Sequence, residues 1–184
     1  MSADTAASRR PIIPRTNPLT SSIMEAPKYL FTVGYEGLTL EAFIQQLQIN
    51  SVRTLVDVRE LPLSRKRGFS KRALAETLAS HGITYMHMPK LGCPKPIRDC
   101  YKADGNWSRY TRAFLKHLAD QQPAVQKLAD ISHALTAALM CYEADFSRCH
   151  RTYVARAAVA TSYLGVIHIT AKTTIPESGR RAAA

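Results

Sequence analysis

Between Tyr29 and Thr170 short apolar runs alternate with stretches whose apolar residues recur every three or four positions. That alternation restricts the fold more than any other property of the chain, because it reads as strand, helix, strand, helix. Tyr29 to Val33 is the first strand, ending at Gly34, and Thr39 caps a helix carrying Leu40, Phe43, Ile44 and Leu47 on one side. Val52 to Val58 is the second strand. Ser70 caps a helix running to His81, stopped by Gly82, and Ile83 to His87 is the third strand. An irregular stretch with Pro89, Pro94 and Pro96 follows. Helices over Trp107 to Ala119 and from about Ala124 lead to the strand Leu135 to Cys141. A last helix runs from near Ser147 to Tyr163, before the strand Val166 to Thr170. Apolar strands separated by helices imply an α/β fold: one compact domain with a mainly parallel sheet of about five strands and helices on both faces. Crossovers in such sheets are right-handed.

The expected boundaries are a disordered leader over residues 1–28, the domain over 29–170 and a flexible tail over 171–184. The leader is rich in Ser, Thr and Arg but broken by Pro11, Pro14 and Pro18, so it lacks the amphipathic run of a transit peptide. Met24, just before the first strand, is an alternative start.

No apolar run reaches the roughly 18 residues that span a bilayer, so no membrane partner is expected. The formal charge is +11. Within Tyr29–Thr170, 18 Lys and Arg face 11 Asp and Glu, a net of +7, which favours phosphate-bearing or nucleic-acid partners. Four cysteines in 184 residues do not form a secreted disulfide framework, and a cytoplasmic location is expected.

In open parallel sheets ligands bind beyond the carboxyl ends of the strands. Nearly every strand here delivers polar residues at that end: Gly34-Tyr35-Glu36-Gly37, Asp57-Val58-Arg59, His87 and Cys141-Tyr142-Glu143. Cys149-His150-Arg151 opens the last helix, where free backbone N–H groups and the helix dipole favour anions and lower a thiol pKa. The loop from Arg59 to Arg72 adds Ser64 and a run of Arg65, Lys66, Arg67, Lys71 and Arg72 at the same end.

Four motifs stand in order: Thr32-Val-Gly-Tyr-Glu-Gly37; Asp57-Val-Arg59 with Pro62 and Ser64-Arg65; Tyr85-x-His87-x-Pro89-x-Leu91-Gly92; and Cys141-x-Glu143 with Cys149-His-Arg151. Together they resemble the family catalogued as domain of unknown function 488, over about Tyr29 to Thr170. The resemblance implies a compact α/β fold and no particular activity. Cys93 departs from it, standing where the family usually has a second glycine.

The leading expectation is an enzyme acting on a nucleotide or nucleic-acid-derived substrate. Asp57, Glu143, Cys149 and His150 are its candidate catalytic residues, for proton transfer or nucleophilic attack. Tyr35, Glu36, Arg59, Ser64, Arg65, His87, Cys141 and Arg151 are candidate binding residues, with Arg59, Arg65 and Arg151 holding the anion. One alternative is a nucleic-acid-binding or regulatory module using the same basic face; another is a metal or redox sensor built on Cys141 and Cys149. Zinc on Cys141, Cys149, His150 and His87 is a further option, but the spacing lacks the tight Cys-x2-Cys pair, so no metal site is assigned, and the cofactor is left open. His168 reads as a satisfied core histidine, Trp107, Tyr110 and Phe114 as core, and Cys93 and Cys100 as incidental.

Overall fold

The computed structural model describes residues 28–160 and 164–177. The expected leader up to residue 27 with its alternative start at Met24, the expected helix end over 161–163 and the tail beyond 177 lie outside the described residues. Six strands form one sheet in the order β3-β2-β4-β1-β5-β6. They are β1 (Tyr29–Gly34), β2 (Thr54–Asp57), β3 (Thr84–His87), β4 (Ala137–Cys141), β5 (Gly165–Ile169) and β6 (Thr174–Pro176). The first five pair in parallel, and β6 runs antiparallel to β5. Helices α1 (Leu40–Ile49), α2 (Lys71–Ser80), α3 (Lys95–Asp104), α4 (Trp107–Ala119), α5 (Gln122–Ala134) and α6 (His150–Val159) connect them.

Period-two alternation along the strands separates two apolar layers. Val33, Leu55, Ala138 and Met140 point towards Phe43, Leu47, Leu74 and Leu78 of α1 and α2. Leu30, Val56, Ala137 and Leu139 point the other way, onto Phe114, Leu128, Val154 and Ala155 of α4, α5 and α6. By the same alternation Asp57 and Tyr35 fall on the α1–α2 side, and Cys141 falls on the α6 side.

Three expectations change. The proline-rich stretch is not irregular throughout: Pro94 and Pro96 begin α3, where a missing N–H costs nothing and a fixed φ suits the first turn. The sheet does not stop near residue 170, because β6 adds an edge strand inside the expected tail. Ser70 precedes α2, but its hydroxyl makes no cap bond and bridges the backbone N–H and carbonyl of Ser64 instead.

His168 is a core histidine, as expected. Its ring lies between Thr32 Oγ1 at 2.7 Å and Glu177 Oε1 at 2.9 Å and stacks on Phe146. Tyr110 and Phe114 are core as well, whereas Trp107 is half-buried and faces a cleft.

Candidate functional site

The connection leaving β1 crosses to β2 on one side, and the connection leaving β4 crosses over β1 to β5 on the other. The carboxyl ends of β1 and β4 therefore flank the topological switch point, where parallel sheets open a crevice. The chain beyond β4 runs directly over the end of β1. A Cβ built at Gly34 would lie 1.9 Å from the Glu143 carbonyl oxygen, so only glycine admits that crossing. Tyr35 and Glu36 donate backbone N–H groups to the Cys141 and Tyr142 carbonyls at 3.3 and 2.9 Å, which extends the pairing past the strand ends.

On the α6 side of this crossing, Cys141, Glu143, Cys149 and His150 converge, with their Sγ, carboxylate and ring-nitrogen atoms all within 4.8 Å of one another. Glu143 Oε2 lies 2.9 Å from Cys141 Sγ and 3.3 Å from Cys149 Sγ. His150 Nδ1 lies 3.7 and 4.0 Å from the same two sulfurs. The other ring nitrogen, Nε2, is 3.0 Å from the Val58 carbonyl. A carbonyl only accepts, so Nε2 carries a hydrogen, and Nδ1 faces the thiols. Cys149 is the extended N-cap of α6, after a single 3-10 turn over Phe146–Arg148, so the helix begins at His150 rather than near Ser147. That break turns Cys149 back towards Cys141.

Three acidic groups and one imidazole share this space, and their proton affinities separate. The hydrogen bond to Cys149, reinforced by burial, holds the Cys141 thiol well above the ordinary range. Burial opposes ionisation of Cys149, but the Cys141 hydrogen bond and the adjacent His150 overcome it and lower its pKa well below normal. Burial, then the neighbouring Cys149, raises Glu143. Burial opposes charge on His150, yet Cys149 outweighs it and the imidazole is raised.

A second cluster sits on the α1–α2 side. Asp57, fully buried, holds Arg59 through contacts of 2.6 to 3.1 Å, and Tyr85 donates its hydroxyl to Asp57 Oδ2 at 2.6 Å. Arg59 in turn donates to the Tyr35 hydroxyl and to the Phe69 carbonyl, each at 2.9 Å. Tyr35 stacks on Phe69 with ring centroids 4.3 Å apart. Burial works against the Arg59 charge, but Asp57 more than compensates and raises its pKa. This network engages four of the five Arg59 N–H donors, and Tyr35 and Arg59 also line the cleft above it.

An open cleft of about 890 Å³ lies above both clusters. Cys141, Glu143 and His150 reach its base, and Ser64, Arg65, Lys66, Arg98, Lys102 and Arg148 stand around it. Arg98 pairs with Glu60, whereas Arg65, Lys66, Lys102 and Arg148 have no carboxylate partner among the described residues. Tyr101 and Trp107 line the wall; Trp107 stacks on Tyr110 with ring centroids 4.8 Å apart, and the Arg148 guanidinium stands 5.6 Å from the Trp107 centroid.

The chain matches the family described as a domain of unknown function, DUF488, over residues 39–158. It belongs to the DUF488 family. No curated protein and no solved structure matches it significantly.

Within this DUF488 chain the expected site residues fall into three groups. Cys141, Glu143, Cys149 and His150 meet, and Ser64 and Arg65 stand on the cleft wall. Tyr35, Asp57 and Arg59 meet in the second cluster, where Asp57 is a partner for Arg59 and not an open base. Glu36, His87 and Arg151 brace the site from outside. Glu36 accepts from Ala144 N at 2.9 Å, and His87 Nε2 contacts the Arg59 carbonyl at 2.9 Å. Arg151, expected to clamp an anion, is wholly buried and donates to the carbonyls of Glu143 and Ala144.

The cleft also holds residues that sequence patterns passed over. Arg98 and Lys102 stand one helical turn apart on α3, in the stretch whose prolines concealed a helix. Cys93, taken as incidental, is buried in the cleft wall, and burial pushes its thiol up to about 11. Its neighbour Gly92 is obligatory, since a Cβ there would meet Glu60 N at 2.4 Å.

Proposed function

We propose that the protein is an enzyme acting on a phosphate-bearing substrate, a nucleotide or a nucleic-acid fragment, bound in the cleft above the Cys141–Glu143–Cys149–His150 quartet. The observation that carries this reading is the joint placement: a buried, strongly interacting quartet opens into a cleft whose wall presents cations lacking carboxylate partners. Arg65, Lys66, Lys102 and Arg148 attract and orient phosphate, and Tyr101 and Trp107 give the wall an aromatic surface for a base. Glu143 is the proton-transfer group. It is half-buried, lies beside both thiols and reaches the cleft, where an acid–base group can meet a bound substrate. Arg59, Asp57 and Arg151 act on the site by holding its walls.

A purely binding module would need the basic wall and the aromatics, but not a thiol–carboxylate–imidazole quartet at their base. The test has two readouts. Thermal denaturation against a panel of nucleotides and short oligonucleotides should show protection that Arg65→Ala with Arg148→Ala removes. Mass spectrometry of the same mixtures should show product formation that Glu143→Gln reduces at least about a hundredfold. Protection without turnover on any member supports the binding module, and no protection at all sinks both readings.

A further inference from the structure

The quartet has a property that acid–base chemistry does not require. We infer that Cys141, Cys149 and His150 bind a divalent cation of the zinc class, with the Glu143 carboxylate on its cleft-facing side as fourth donor. This deepens the proposed function by giving the site its reactive centre, and it rests on that reading only for what the metal then does.

The geometry is the first support. Donors standing ~2.0–2.3 Å from a tetrahedral zinc lie roughly 3.3–3.8 Å from one another. The observed separations of 2.9 Å and 3.3 Å from Glu143 to the sulfurs, and 3.7 Å and 4.0 Å from His150 to the sulfurs, bracket that span. The remaining separations stay within 4.8 Å, so a cation is accommodated by donor shifts of up to about an ångström. The tautomer is the second support. Metal-ligating histidines hand their other N–H to a carbonyl or carboxylate, and His150 gives Nε2–H to Val58 while Nδ1 faces the sulfurs. The third is the scaffold: the Glu143 segment is held over Gly34, and Arg151 straps its carbonyl, so the donors are positioned before any cation arrives. The spacing in the sequence conceals all of this, since Cys141 and Cys149 come from opposite ends of a loop and not from a tight Cys-x2-Cys turn. The set is also not the one the spacing suggested: Glu143 takes the place of His87, which faces the Arg59 carbonyl.

Thiolate and imidazole donors select zinc over magnesium or calcium. Loading exchanges waters of the hydrated cation for two Zn–S bonds, one Zn–N bond at His150 Nδ1 and one Zn–O bond at Glu143, and releases to solvent the proton of Cys141 and the proton that Cys149 and His150 share, with no change in oxidation state. Three buried protein donors and a displaceable carboxylate on the open side are the arrangement of a catalytic rather than a structural zinc.

The experiment uses the full chain, made without a polyhistidine tag and purified without chelator. Elemental analysis should find about one zinc per chain. Cys141→Ser, Cys149→Ser and His150→Ala should each retain less than a tenth of it, while Cys100→Ser, on the exposed side of α3, keeps the wild-type content. Should those variants misfold, cobalt decides: the wild-type chain loaded with Co(II) should show thiolate charge-transfer absorption and the visible bands of a tetrahedral site. A folded wild-type chain that holds no zinc and gives no cobalt spectrum overturns the inference, whether its two thiols prove free or joined in a disulfide. Nucleotide protection measured on the same preparations keeps the two readings apart. Protection without metal leaves the anion-binding cleft and removes the zinc; metal without protection does the reverse.

Discussion

Among the described residues Arg151 has no carboxylate in direct contact, and it is not exposed to water. The cost of burying it is offset in part by hydrogen bonds to the Glu143 and Ala144 carbonyls, the backbone stretch that must cross β1, while its buried Nε has no partner among the described residues. The residue thus straps the Glu143–Ala144 loop. Arg151→Met should lower unfolding free energy by about 3 kcal/mol, the order expected for losing two hydrogen bonds from a charged donor. Urea denaturation measures that. Nucleotide protection, read at equal distance below each protein's own melting temperature, should persist; its selective loss would restore the clamp. Asp57 shows the same division at the residue scale. As a carboxylate at the end of an apolar strand it looks catalytic, yet the contacts with Arg59 and Tyr85 occupy it fully.

At the scale of elements, the edge of the sheet is tied down by Glu177, the residue after β6. Its carboxylate receives Arg156 from α6 at 2.9 Å and contacts His168 of β5 at 2.9 Å. Burial opposes ionisation of Glu177, but the Arg156 and His168 hydrogen bonds prevail and lower its pKa. Burial also lowers the pKa of His168, more strongly than Glu177 raises it. Both folded-state values lie below their unfolded counterparts, so the unfolded chain takes up protons first as the solution is acidified. Stability should therefore begin to fall below about pH 6.5 through His168, and fall further below about pH 4.3 as the Glu177 contribution is lost. In Glu177→Gln, denaturation curves between pH 7 and pH 3 should lose most of the lower step and keep the upper one. An unchanged acid limb would mean that β6 is not anchored by this ion pair.

Across the whole molecule, a formal charge of +11 would draw anions to any face, and Arg65, Lys66, Lys102 and Arg148 bring part of it to the cleft where the strands end. Nucleotide protection should accordingly weaken steeply with salt and be nearly gone at about 1 M, where the Debye length is about 3 Å. Protection that survives such salt would point to stacking on Tyr101 and Trp107 as the main hold. Strand and helix alternation, the parallel sheet and the carboxyl-end location of the site follow from the sequence alone, because period and polarity are local properties of neighbouring residues. The prolines at 94 and 96 misled that reading, since the same residue that breaks a helix interior also starts one. Only tertiary structure decided which polar residues meet. Placing β4 between β1 and β2 sets Cys141 beside His150 and sends Asp57 to the opposite face, and the crossing over Gly34 delivers Glu143 between two thiols. Those contacts join segments far apart in the chain, and their energetics depend on burial that no local pattern encodes.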